Sequence, residues 1–217
     1  MKRKISVPIF ALAFLISLGV FLIGIYVGQI IAANNKDAIS KEVSDISDRI
    51  SSIQILLSEN NSKIFCNAYQ SELKSIDSDI EIIGHKLSFL EDEKGIYDNE
   101  LKKKYFILEY QSLVISKKAN DFCNLNATIL INFYSNSNCS KCSLEGIEIL
   151  KARDELPNIK IKLFSFDGEI GSSIANTLKS QYSVETYPSI VINDKKYVGF
   201  LSKDQIKNII GGNVTSN

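Results

Sequence analysis

Two thiols in Asn138-Cys139-Ser140-Lys141-Cys142 carry the clearest chemistry in this chain. They lie three residues apart, where an apolar strand pattern (Ala127 to Tyr134) gives way to a helical one (Ser143 to Leu156). Two cysteines so placed can close into a small disulfide ring and reopen. A thiolate there is favoured, because the unpaired N–H groups and the macrodipole of a helix N-terminus stabilise negative charge. Lys141 lies between the cysteines. It is read either as a cation that lowers the Cys139 pKa further or as a solvated surface lysine.

Other chemistries find little to draw on. The chain has 217 residues, four cysteines, one histidine, one methionine and no tryptophan. A Ser-His-Asp triad would have to use His85, which falls in a helical segment far along the chain from the CxxC. A zinc site wants four ligands, and neither a second CxxC nor a nearby histidine supplies them. The lone methionine is the first residue, so a Cys/Met copper site is also poorly provided; metal handling by Cys139 and Cys142 is the weakest reading. No metal and no cofactor are expected. Formal net charge is zero, so no polyanionic partner is suggested and nucleic acid is not expected.

The elements that must hold the cysteines follow from periodicity. Strands are expected at Ala127 to Tyr134, Ile159 to Phe166, Ser189 to Asn193 and Lys196 to Phe200, with a turn at Asn193-Asp194. Helices are expected at Cys139 to Leu156, Ile170 to Tyr182 and Lys203 to Ile210. A βαβ start followed by a hairpin and a helix is an α/β plan, with helices covering a small mixed sheet.

A CxxC following the first strand of a βαβ unit resembles the thioredoxin-like fold family. Thr186-Tyr187-Pro188-Ser189, leading into Ile190-Val191-Ile192, resembles that family's segment with a cis-proline opposite the active cysteines. Val198-Gly199-Phe200-Leu201-Ser202-Lys203 resembles its last strand and the start of its last helix. The resemblance covers residues 127 to 211. It implies Cys139 as the attacking thiolate, Cys142 as the resolving sulfur, and Tyr187 and Pro188 as the segment that pairs with an extended substrate. The sequence departs from the family at Asn138, where tryptophan is usual, and at Ser140-Lys141, where Gly-Pro is usual. It departs again near Asn132, where a buried aspartate assists proton transfer. An amide cannot accept that proton, so base assistance to Cys142 is in doubt. The layout as a whole resembles membrane-anchored thioredoxin-like proteins of archaea.

Upstream lies a different kind of sequence. Lys2, Arg3 and Lys4 precede an uncharged stretch from Ile5 to Ala33, longer than the roughly 20 residues that cross a bilayer. It reads as an anchor, and its length argues against a cleaved signal. The basic residues before it predict a cytoplasmic N-terminus and an extracytoplasmic remainder. Four Asn-x-Ser/Thr triplets, at Asn60, Asn126, Asn138 and Asn213, are compatible with export.

Residues 34–123 are heptad-like. Ile39, Val43, Ile46, Ile50, Ile53 and Leu57 alternate four and three apart. After a break at Glu59-Asn60-Asn61-Ser62, a second seam runs from Cys66 through Tyr69, Leu73, Ile76, Ile80, Ile83 and Leu87 to Leu90. A third runs from Leu101 through Tyr105, Leu108, Ser112, Ile115 and Ala119 to Phe122. Gly95 suits a helix C-cap and Asp98 the next N-cap. The expectation is a coiled-coil stalk ending in a helical hairpin that turns near Gly95. Cys66 and Cys123 are equidistant from that turn, so a structural disulfide between them is expected; two unrelated thiols, or a pair relaying electrons to the CxxC, are the alternatives. The first seam has no evident partner in the hairpin and points to a homodimer through the stalk.

The expected organisation is a tip and anchor at 1–33, a helical stalk at 34–123 and a thioredoxin-like α/β domain at 124–217. The expected function is a membrane-tethered thiol–disulfide oxidoreductase. It would act on cysteine-containing protein substrates and be recharged by an unidentified redox partner. The alternative is a non-enzymatic coiled-coil scaffold with a thioredoxin-like interaction head. The direction of exchange depends on a reduction potential that sequence does not encode legibly.

Overall fold

The computed structural model describes residues 7–57 and 62–214. The basic residues Lys2 to Lys4, the break at residues 59–61 and the triplet beginning at Asn60 lie outside them. Contacts divide the chain into two compact units, residues 1–42 and 43–217. Helix α1 (Val7–Leu57) opens the chain. Its segment Phe10–Gly28, with mean hydropathy 2.6, is long and apolar enough to cross a membrane. Phe10, Phe14 and Phe21 are exposed along it.

In the second unit, α1 from Val43 onward is followed by α2 (Ser62–Ala68), a π-helical turn (Tyr69–Leu73) and α3 (Lys74–Asp92). Helix α4 (Asn99–Cys123) returns antiparallel. The turn has the expected chemistry. Gly95 adopts a left-handed φ of 62°, and the Ile96 N–H closes back on the Leu90 carbonyl at 2.9 Å. Asp98 caps α4 by accepting from the Glu100 and Leu101 N–H groups.

Strand β1 (Thr128–Tyr134) leads through a loop into α5 (Cys142–Asp154), then β2 (Ile161–Asp167), α6 (Ser173–Tyr182), β3 (Ser189–Ile192), β4 (Lys195–Val198) and α7 (Lys203–Val214). Sheet order is β2-β1-β3-β4. Strands β1 and β2 are parallel, and β3 is antiparallel to both β1 and β4. Asn193 and Asp194 have φ of 47° and 66°, the doubly left-handed turn that a two-residue hairpin prefers.

The sheet is covered on both faces. On one, Leu130, Ile190 and Ile192 pack with Ile149 and Ala152 of α5 and Ile206 and Ile210 of α7. On the other, Phe106 of α4 meets Phe166 edge-on at 5.3 Å, and Phe166 neighbours Phe133 at 6.3 Å. Helix α4 is therefore not part of a separate stalk, and the expected boundary at 123/124 cuts through one packed unit. The heptad seam of α4 is buried, at Leu101, Tyr105, Leu108, Ser112, Ile115 and Ala119. A second stripe, Phe106, Glu109, Leu113 and Ser116, is buried as well. Periodicity reveals an apolar stripe without revealing what covers it, and the second stripe here is half polar.

Two further expectations change. Phe122, read as inward, is 53% exposed. In α1, Val43, Ile46 and Ile50 are buried within the single chain, and Arg49 binds Asp79 at 2.8 Å and Ser75 at 3.0 Å on α3. That part of the first seam packs within the chain, with Arg49 tied to the hairpin.

Strand β2 is a sheet edge, and unpaired edges recruit other chains. Here the hairpin blocks it. Glu109 accepts the Ser165 N–H at 2.7 Å, and Lys162 of β2 pairs with Asp77 of α3. The opposite edge, β4, is short and carries exposed Lys195 and Lys196, charges that discourage strand addition.

Candidate active site

Cys139 and Cys142 form a disulfide with Cα atoms 5.4 Å apart. The helix begins at Cys142, so Cys139 sits in the turn ahead of it. The Cys139 carbonyl accepts the Cys142 N–H at 3.3 Å. Burial separates the two: Cys139 is partly exposed and Cys142 is 6% exposed. The Ser135 N–H, at the end of β1, points at the Cys142 sulfur from 3.5 Å.

The loop carrying Cys139 is pinned. Ser135 Oγ accepts the N–H groups of Ser137 and Asn138 and donates to Glu169. Asn136 donates to Glu91 of α3 at 3.1 Å. The same Glu91 oxygen holds Lys102 at 2.8 Å, and Lys102 also lies 3.6 Å from Asp167 at the end of β2. Lys102 is only 4% exposed, so the hairpin reaches the active loop through a buried ionic cluster. Nothing in the heptad pattern signals this, because Glu91 and Lys102 read there as solvated charges.

The Tyr187-Pro188 peptide bond is cis. Ser189, the next residue, pairs with Phe133 near the end of β1, which brings Pro188 to the end of the sheet from which the CxxC loop leaves. The Pro188 carbonyl accepts the Gly199 N–H at 2.9 Å. Lys141 lies over the neighbouring Phe200 ring at 5.8 Å. Lys141 is exposed, and its cation faces an aromatic ring. This is a thioredoxin-like fold. It has the parallel β1-α5-β2 unit with the cysteine pair at the start of α5, the cis-proline leading into β3, and the closing antiparallel strand and helix.

No protein-family model and no curated protein sequence matches the chain. Among solved structures it is similar to chloroplastic thioredoxin z, at 20% identity over 46% of this chain and 90% of that one, with a TM-score of 0.37. It is also similar to thioredoxin-2 of the malaria parasite, at 22% identity over 40% and 84% of the two chains, TM-score 0.33. The first thioredoxin domain of mouse protein disulfide-isomerase A4 matches at 22% identity over 44% and 69%, TM-score 0.33.

The side chain of Tyr187 packs against Gly168, just past the end of β2. Its phenol occupies the space that a Cβ on Gly168 would need, and Lys179 lies over its ring at 5.3 Å. What Tyr187 leaves available is its backbone, whose N–H and carbonyl make no hydrogen bond among the described residues.

The other two cysteines are also joined. Cys66 and Cys123 form a disulfide with Cα atoms 5.6 Å apart, at the open end of the hairpin. Among the described residues no cluster of His, Cys, Asp and Glu is arranged to hold a metal ion.

Two carboxyls in the second unit escaped the sequence reading. Glu109 is buried, accepts from Tyr105 at 2.5 Å and from Ser165, and burial pushes its pKa up to about 7 against those bonds. Glu145, one turn after Cys142, is fully buried, and burial raises it to about 7 as well. Each is a charged residue in a buried position, and in sequence each reads as an ordinary surface charge. A cavity of about 1240 Å³ adjoins the site; Cys142, Gly146, Asn132 and Ser165 contribute to its lining, with Gly84 and Ser88 of α3.

Proposed function

We propose that this protein is a membrane-tethered thiol–disulfide oxidoreductase that exchanges disulfides with cysteine-containing proteins on the extracytoplasmic side. The observation that supports it best is the asymmetry of the pair: Cys139 is partly exposed in a pinned turn and Cys142 is buried at the helix start. A substrate thiolate can then reach one sulfur and not the other. In the oxidising direction it attacks the Cys139 sulfur, the Cys139–Cys142 bond breaks, and the electron pair leaves on Cys142. A second substrate thiolate attacks the substrate sulfur of the mixed disulfide. The substrate disulfide forms, and Cys139 departs as the thiolate. Reduction runs the same steps backwards. A helix N-terminus lowers the cost of the departing anion.

The free N–H and carbonyl of Tyr187, beside Pro188, give an extended substrate segment two backbone partners. Phe10–Gly28 supplies the tether, and Lys2, Arg3 and Lys4 favour a cytoplasmic N-terminus. Recharging requires a second redox protein facing the same side.

The test is turnover of a disulfide-bonded protein substrate by the full chain in detergent, followed by free-thiol titration. Cys139→Ser should abolish turnover, and Cys142→Ser should accumulate a mixed disulfide at Cys139 that non-reducing electrophoresis resolves. Undiminished turnover in Cys139→Ser, or none in the unaltered chain with any thiol or disulfide substrate, would leave the scaffold reading.

A further inference from the structure

Resolution of a mixed disulfide requires Cys142 to lose a proton inside the protein, and Asn132 on the neighbouring strand cannot take one. Its Oδ1 is buried and has no hydrogen-bond partner, but an amide oxygen is a negligible base. We propose that Glu145 is the proton acceptor for Cys142. This rests on the thiol–disulfide reading above.

The geometry is local. Glu145 follows Cys142 by three residues on α5, a spacing that places side chains on the same helix face about 5–6 Å apart at Cβ. Helical side chains lean toward the N-terminus, so the carboxyl of Glu145 leans toward the turn that holds Cys142. Glu145 is 0% exposed. One oxygen, Oε1, accepts the Leu201 N–H at 2.9 Å. The other, Oε2, is buried with no partner among the described residues. A buried carboxyl with one anchored and one unsatisfied oxygen is costly unless the second oxygen carries or receives a proton.

Among the described residues no counter-charge fixes its ionisation. Ahead of α5, Lys141 faces the Phe200 ring; on α5, Glu148 accepts the Lys203 N–H and pairs with Lys151. On α7, Lys203 and Lys207 are both held by Glu155, and Asp204 is exposed. The strand residues Leu130 and Ile190, which pack with Ile149 of the same helix, carry no charge. Burial pushes its pKa up to about 7, against the Leu201 hydrogen bond that favours the anion.

The step balances. The Cys142 proton passes to Glu145, directly or through one water. The resulting thiolate attacks the Cys139 sulfur of the mixed disulfide, and the Cys139–Cys142 bond forms. The bond to the substrate breaks, and its electron pair leaves on the substrate sulfur, which takes a proton from Glu145 or from solvent.

Two measurements on the full chain in detergent test this. In Cys139→Ser, with Cys66 and Cys123 still bridged, ultraviolet thiolate absorbance titrates Cys142 alone. Adding Glu145→Gln removes a neighbouring negative charge, and the Cys142 thiolate should then form at a pH about one lower. Single-turnover release of a mixed disulfide from Cys139 in the otherwise unaltered chain should rise through a step near pH 7. Glu145→Gln should lose that step, its rate following the shifted Cys142 thiolate titration instead. Glutamine can still accept from Leu201, and near-ultraviolet circular dichroism verifies its packing. An unmoved thiolate titration, or an identical pH profile in Glu145→Gln, overturns the proposal. If no mixed disulfide forms at Cys139 at all, the oxidoreductase reading fails, and the thiolate titration still reads the Glu145–Cys142 pairing by itself.

Discussion

The molecule contains two disulfides whose chemistry is the same and whose settings are opposite. Cys139–Cys142 closes a ring between residues three apart; Cys66–Cys123 closes one between residues 57 apart. Chain entropy makes that difference large. The long loop stabilises the folded state by about 4 kcal/mol and the short one by roughly 1–2 kcal/mol. The short bridge lies at a helix start with one sulfur reachable. The long one clamps the open end of a hairpin beside Phe65, which is buried and stacks near Tyr69. A bond that contributes little to folding can be broken and remade at little cost to the rest of the molecule, whereas one that holds two helices together cannot.

The comparison is sharpest where the long bridge is removed. Cys66→Ala combined with Cys123→Ala should lower unfolding free energy by about 4 kcal/mol, measured by guanidinium denaturation, while disulfide exchange per folded molecule stays unchanged. A parallel fall in exchange would mean that the two bridges act together, and the contrast would break. A smaller effect is expected at the ionic cluster that joins hairpin and active loop. Lys102→Ala strands Glu91 and Asp167 without their shared cation and should cost about 3 kcal/mol. It should also raise hydrogen exchange in the loop of Ser135 to Asn138, since Asn136 is tied to the same Glu91 oxygen. A third effect is a slope with pH. Glu109 carries a folded pKa raised from 4.5 to about 7, so the folded state binds the proton more tightly than the unfolded chain does. Its contribution is fully present below about pH 4.5 and is lost as pH rises through about 7. Glu109→Gln should flatten that decline in a series of denaturation curves between pH 4.5 and 8. An unchanged slope would assign the pH dependence elsewhere.

Much of this was legible in the residues. Gly95 and Asp98 announce the hairpin turn because each does a backbone job that few other residues do as well. Asn193-Asp194 announces a tight hairpin for the same reason. The pairing of Cys66 with Cys123 follows from the turn position, because antiparallel helices place residues equidistant from the turn side by side. Less legible was what each stripe faces. The seam of α4 predicted contact with α3 and concealed the sheet on its other side, since Glu109 and Ser116 interrupt the second stripe. The seam of α1 is buried at Val43, Ile46 and Ile50, which the periodicity marked as apolar without saying what covers them. In the site, the two cysteines stand out by type and spacing, while Glu145 does not, since a glutamate at a helix start is common on any surface.

Sequence by itself determined the local events: where helices and strands start, where the chain turns, which thiols can close a ring, and which stretch is apolar enough for a bilayer. These depend on neighbours a few residues away, and the chain carries that information in order. Only the tertiary structure decided that the hairpin lies on the sheet and blocks the β2 edge, that Lys102 is buried between two carboxylates, and that Glu145 has lost its water. Burial is a property of what arrives from distant parts of the chain. The same carboxyl is an ordinary surface charge or a proton acceptor according to how much water that arrival removes.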